Sequence, residues 1–172
     1  MTAKAPHEFC IVGIDPGIKG AVAFYFPSRP GLIAAEDLPV AAGDIDAASL
    51  ARRIVQMAPD FAIVERVASR PGQGVVSVFR FGAAYGAAIG VISALAIPLH
   101  LVSPARWKRH YGLDADKERS RARAIQFWPA SRHFTRKKDH GRAEAALLAR
   151  YGAEVVLSKS PLALPQDDGG AA

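Results

Sequence analysis

Asp15 and Glu65 each close an apolar run. Residues 9–14 lead into Asp15 and residues 61–64 lead into Glu65. A short continuous apolar run bounded by turn residues reads as a buried strand. Pro16 and Gly17 close the first run, and Arg70, Pro71 and Gly72 follow the second. A carboxylate at the tip of such a strand is costly unless it is paired or ligates a metal. Alone, either acid could cap the loop that follows, and Glu65 could pair with Arg66. A third partner decides whether the two act together.

That partner lies in residues 137–149, where an Ala/Leu-rich stretch after Gly141 is a strong helix former and Asp139 suits its N-cap. Residues four apart share a helix face, so His140 and Glu144 can point together. Asp139 reaches the same place only from outside the regular helix. Glu144 stands alone among small apolar residues, as a functional carboxylate would, although Arg142 or Arg150 could make it a surface pair.

Together these segments resemble the RuvC family of Holliday-junction resolvases. The resemblance is carried by residues 9–17, by Ala62-Ile63-Val64-Glu65, and by Gly74 with Phe81-Gly82 and Gly86. It continues through Val102-Ser103-Pro104, Trp107-Lys108, Lys117 and residues 139–149, and spans residues 9–152. It implies a ribonuclease-H-like α/β fold, a mixed five-stranded sheet with helices on both faces. It also implies metal-dependent endonuclease cutting of four-way DNA junctions by a homodimer. Asp15, Glu65, Glu144 and one of Asp139 or His140 would gather at one end of the sheet. Clustered carboxylates repel and take up protons unless cations occupy the site. Two Mg²⁺ ions about 4 Å apart, with Mn²⁺ able to substitute, would activate water and stabilise the leaving 3′ oxygen, giving a 5′ phosphate. The resemblance makes Asp15 the bridging ligand and puts Lys117 and Lys108 near the scissile phosphate.

Two departures stand out. Many relatives space the last two ligands three apart, but position 141, three before Glu144, is glycine; some relatives carry histidine as third ligand, which keeps His140 beside Asp139. The family's aromatic wedge after the second acid is missing from Val67-Ala68-Ser69. Either Arg70 or Gln73 fills the gap or the wedge is absent, and Phe79 and Phe81 are expected in the core.

The formal charge is +6, and residues 104–142 hold twelve Lys or Arg against four acids. A basic segment with Trp107, Tyr111, Phe127, Trp128 and Phe134 interspersed is what phosphate-backbone binding asks for. Arg106, Lys108, Arg119, Arg121, Arg136, Lys137 and Lys138, with Arg70, are the expected DNA contacts. Cys10 is the only cysteine and reads as a small buried hydrophobe. The N-terminus reads as lacking a signal peptide, and a reducing cytoplasm fits; no small-molecule cofactor and no membrane are expected.

These residues need positioning elements. Strands are expected at 9–14, 20–26, 32–38, 61–65 and 99–102, and helices at 47–57, 104–111, 116–127 and from 139 or 142 to 151. The uncharged stretch 81–97 belongs to a long helix over 74–96. It is about as long as the shortest membrane span but reads as a helix buried on several sides. Its Gly82, Gly86 and Gly90 form a smooth ridge for close backbone approach, and by resemblance the helix contributes to the dimer interface. The nuclease domain is expected over 9–157, with flexible tails at 1–8 and 158–172. An actin-like kinase shares the Asp-x-Gly turn but needs far more chain. A flap or RNA:DNA-hybrid nuclease, or a non-catalytic branched-DNA-binding relative, are the alternatives.

Overall fold

The run Ile-Val-Gly-Ile-Asp forms β1 (Ile11–Asp15), the middle strand of a five-stranded sheet. The computed structural model describes residues 8–66, 72 and 74–159 of the 172. β1 pairs antiparallel with β2 (Ala21–Tyr25), which pairs antiparallel with β3 (Ile33–Asp37). After the short hairpin β4 (Val40–Ala41) and β5 (Asp44–Ile45) comes α1 (Ala47–Met57), then β6 (Phe61–Glu65). β6 runs parallel to β1 with Ile14 opposite Val64, which sets Asp15 and Glu65 side by side, one step past that pair. α2 (Val75–Ala94) leads to β7 (Leu99–Val102), parallel to β6 at the edge. Then follow α3 (Pro104–His110), α4 (Lys117–Phe127), a 3₁₀ turn (Lys137–Asp139) and α5 (His140–Tyr151).

Alternation along the strands makes two cores. Ile11, Ala23 and Ile63 face α5 with Trp107, Trp128, Phe134 and Leu147. Val12, Ile14, Phe24, Ala62 and Val64 face α1 and α2 through Leu50, Ile54, Ala88 and Ile92. α5 lies directly on the central strand because position 13 has no side chain. A Cβ there would come 2.3 Å from the Ala145 carbonyl oxygen.

The expected strands and helices are all present, and one hairpin was not anticipated. β4 and β5 turn through Ala42 and Gly43, both at positive φ (51° and 86°); alanine gives little hint of such a turn.

α2 departs from its expected environment. It is long and apolar enough to cross a membrane, yet it is buried on one stripe, Ala84, Ala88, Val91 and Ile92, rather than on several sides. Gly82, Gly86 and Gly90 lie on the far face, exposed, with nothing within 4 Å of where a Cβ would stand. Residues two apart on a helix point nearly opposite ways, so one set faces the sheet and the other solvent. Phe79, expected in the core, is 75% exposed. Phe81 is half-buried, its ring 3.6 Å from the Cβ position of Gly17.

The aromatics of the basic segment are corrected in the same way. Trp107, Tyr111, Trp128 and Phe134 are buried, and Phe127 packs edge-on between Tyr111 and Trp128 at 5.6 and 5.8 Å. They form the core between α3, α4 and α5, where their area is removed from water, and do not present a stacking surface to DNA. At the chain ends, Glu8 accepts hydrogen bonds from Ser28 and Arg29, and Ser158 and Lys159 belong to a 3₁₀ turn (Leu157–Lys159). The remaining tail residues expected to be flexible lie outside the described residues, as do Val67, Ala68, Ser69, Arg70 and Gln73.

Candidate active site

β1 delivers Asp15, β6 delivers Glu65 from the neighbouring register position, and α5, lying across Gly13, delivers Glu144. Asp15 feels both other acids. Burial pushes its carboxyl well above the ordinary aspartate value, Glu144 and Glu65 add to the rise, and Lys117 and Lys108 oppose it. Glu65 is likewise raised by burial, against the hydrogen bond that Trp107 donates to it. That bond runs from Trp107 Nε1 to Glu65 Oε2 at 2.7 Å. Glu144 is only 5% exposed. Its Oε1 accepts from Lys108 Nζ at 2.8 Å and from Ser120 Oγ at 3.1 Å. The Lys108 ammonium also sits 5.3 Å from the Trp107 ring centroid, so one lysine is held by an acid of the cluster and by the indole that fixes another.

Glu144 is therefore no surface pair with Arg142 or Arg150. Arg142 binds Asp37 at 2.7 and 2.8 Å, and Arg150 binds Glu154 at 2.6 Å.

Asp139 and His140 part company. Asp139 occupies the N-cap position of α5 but caps nothing there. Its carboxylate turns back to the Arg136 backbone N–H at 2.8 Å and to the Arg136 guanidinium at 2.7 Å. Burial would raise it, but Arg136 outweighs burial and holds it below the ordinary aspartate range. His140 sits one turn before Glu144 on the same helix, and its Nδ1 is buried without a hydrogen-bond partner. Position 141 is the one that faces Asp15: a Cβ there would stand 3.7 Å from Asp15 Oδ2 and 3.0 Å from the Lys19 carbonyl oxygen.

The site's chemistry is that of hard oxygen donors needing positive charge. Three carboxylates from three elements suit Mg²⁺ or Mn²⁺. With Glu65 turned to Trp107 and Glu144 to Lys108 and Ser120, no three metal-ligating side chains among the described residues converge on one point. Lys108 supplies the balancing charge in this arrangement.

A cleft of about 740 Å³ opens beside Asp15, between the β1–β2 turn, the first turns of α2 and Lys117 of α4. The other expected DNA contacts scatter. Arg119 binds Asp114 and the Gly112 carbonyl, Arg121 binds Glu118 and the Phe134 carbonyl, and Arg136 holds Asp139. Arg106 lines a pocket beyond α3 with Arg109 and Lys159. Lys137 and Lys138 are exposed in the 3₁₀ turn. Sequence reasoning missed Ser120, a lone hydroxyl in an Arg-rich helix, and the role of Trp107 as a donor. The spacing of Lys117, Ser120 and Ala124 on one helical face was the available signal.

The mixed sheet, with acids at the ends of β1 and β6 and a helix laid across the centre, is a ribonuclease-H-like fold of the kind that junction resolvases share. Thermus thermophilus RuvC in complex with a Holliday junction substrate superposes with a TM-score of 0.58 at 14% identity, over 84% of this chain and 94% of that one. T. thermophilus RuvC in a second structure gives 0.56 at 15% identity, over 84% of this chain and 95% of that one. The Fowlpox virus resolvase in complex with Holliday junction DNA gives 0.53 at 17% identity, over 87% and 99%. No family model and no curated protein sequence matches the chain.

Proposed function

We propose that this protein is a metal-dependent endodeoxyribonuclease that resolves four-way DNA junctions by paired phosphodiester hydrolysis. The observation that carries this reading is that β1, β6 and α5 bring Asp15, Glu65 and Glu144 to one end of the sheet, near enough that both glutamates raise the Asp15 carboxyl, beside a cleft lined by Lys19 and Lys117. Two of the solved structures that share the fold were determined with junction DNA.

Asp15, Glu65 and Glu144 would hold the cations, with His140 as the fourth donor. His140 fits better than Asp139, whose oxygens are engaged by Arg136 while the His140 Nδ1 has no partner. Bound Mg²⁺ or Mn²⁺ would supply Lewis-acid activation of water and of the leaving oxygen. Trp107 keeps Glu65 in place through its indole N–H. Lys108 and Lys117 would offset negative charge that develops on the phosphate. Symmetric cuts need two sites related by a two-fold axis, so the working form is a homodimer, with the open glycine face of α2 as the interface.

The test is incubation with labelled four-way junction, duplex, flap and RNA:DNA-hybrid substrates, with and without Mg²⁺. Paired cuts in the four-way junction leaving 5′ phosphates, only with metal, are expected. Preferred cutting of flap or hybrid would overturn the junction reading.

A further inference from the structure

The cleft beside Asp15 contains two cations that neither the fold nor the acid cluster accounts for. Lys19 comes from the β1–β2 turn and Arg80 from the second turn of α2; with Lys117, Ser77 and Phe81 they line one cavity of about 740 Å³ whose only acid among the described residues is Asp15. Arginines that serve this fold are paired: Arg136 with Asp139, Arg142 with Asp37, Arg150 with Glu154. Neither Arg80 nor Lys19 makes an ion pair or a side-chain hydrogen bond among the described residues, and both are exposed. Like charges gathered in one concavity repel, and no packing requirement explains them. An anion resolves the repulsion.

The position of Lys19 is also locked to the acid. The turn is so tight that a Cβ on Gly20 would lie 2.0 Å from the Asp15 carbonyl oxygen, and Gly20 N donates to Gly17 O at 2.9 Å. The backbone that carries Lys19 is thus held close to Asp15, and α2, anchored by Ala84 and Ala88, carries Arg80 into the lining of the same cleft.

We infer that Arg80 and Lys19 grip backbone phosphates of the DNA strand that lies against Asp15, so that the β1–β2 turn and α2 supply one wall of the substrate channel and Lys117 the other. This rests on the proposed nuclease function and assigns two positioning residues to it. The ligand is a phosphodiester of a polynucleotide strand, since three cations from three elements line one cleft beside Asp15.

The experiment measures binding of four-way junction DNA in EDTA as a function of salt for wild type, Lys19→Gln, Arg80→Ala, Arg80→Lys and the double variant Lys19→Gln/Arg80→Ala. Each lost phosphate contact should lower the slope of log K against log salt by about 0.7 to 0.9, the double variant by roughly twice that, and Arg80→Lys should restore most of it. Replacing phosphates that flank the cut by neutral methylphosphonates should weaken wild type but weaken Arg80→Ala no further. With Mg²⁺, single-turnover cleavage at saturating junction should fall about 10-fold in each single variant, as for mispositioned substrate. Unchanged slopes and rates in variants whose melting matches wild type would overturn the inference, as would a thermal shift by free nucleoside monophosphate that depends on Arg80 while the DNA slope does not. A wild-type protein that cuts flap or hybrid instead overturns the junction reading alone, and the same variants measured on that substrate decide the phosphate grip.

Discussion

Asp15 carries a conflict that a cation would relieve. Its carboxyl is raised by burial and by two neighbouring acids, so ionising it in the folded protein is unfavourable. Between the ordinary aspartate value of 3.8 and the raised folded value, the unfolded chain releases this proton first. Rising pH through that window therefore destabilises the metal-free protein. Asp15→Asn should accordingly melt higher than wild type in EDTA, by a margin that grows with pH across the window. Mg²⁺ should raise the melting temperature of wild type and not of the variant. On the chemistry, Asp15→Asn and Glu65→Gln should each lower cleavage by about 100-fold or more while junction binding in EDTA stays within a few-fold. Loss of binding would contradict the assignment. Asp139 and His140 separate by readout. Asp139→Ala removes the acceptor of Arg136 and should destabilise by about 1–3 kcal/mol without changing Mn²⁺ affinity, whereas His140→Ala should weaken Mn²⁺ binding and leave the melting temperature nearly unchanged.

At the scale of the element, the site depends on how closely α5 lies on β1. Gly13 makes that approach, with Ala145 O and Ala149 N at 2.3 and 2.6 Å from its Cβ position. Gly13→Ala forces the helix outward or the strand to bend, at about 1–3 kcal/mol, and carries Glu144 away from Asp15 and Lys108 from its partner. Chemical denaturation should show the stability loss, and cleavage should fall further than the unfolded fraction explains. A variant with wild-type stability and activity would show that α5 does not set the acid spacing.

For the whole molecule, the open side of α2 makes the dimer testable without the usual confusion. Because nothing stands within 4 Å of a Cβ at Gly86, Gly86→Leu should fold with an unchanged circular dichroism spectrum. If the face is the interface, sedimentation should give monomers that cut at most one strand per encounter. A wild-type protein that is monomeric at micromolar concentration with and without junction DNA would instead favour a flap or hybrid nuclease. The charge of residues 104–142 is divided in the same way: Arg119, Arg121 and Arg136 close internal pairs, while Lys108 and Lys117 reach the acids.

The local pattern by itself determined where the acids would stand along the chain. Short continuous apolar runs closed by turn residues read as buried strands, so Asp15 and Glu65 were legible as strand-end carboxylates, and the spacing of His140 and Glu144 already put them on one helix face. Backbone periodicity fixes which face a residue shares with its chain neighbours, but not what that face meets. Tertiary packing decided that β1 and β6 pair in a register that sets the two acids side by side, and that Glu144 meets Lys108 and Ser120. It also decided that Asp139 turns back to Arg136, that Trp107 and its fellow aromatics fill a core instead of binding DNA, and that the glycine ridge of α2 faces outward. Each depends on contacts between residues far apart in sequence, whose energies come from burial and charge in three dimensions and leave no periodic trace along the chain.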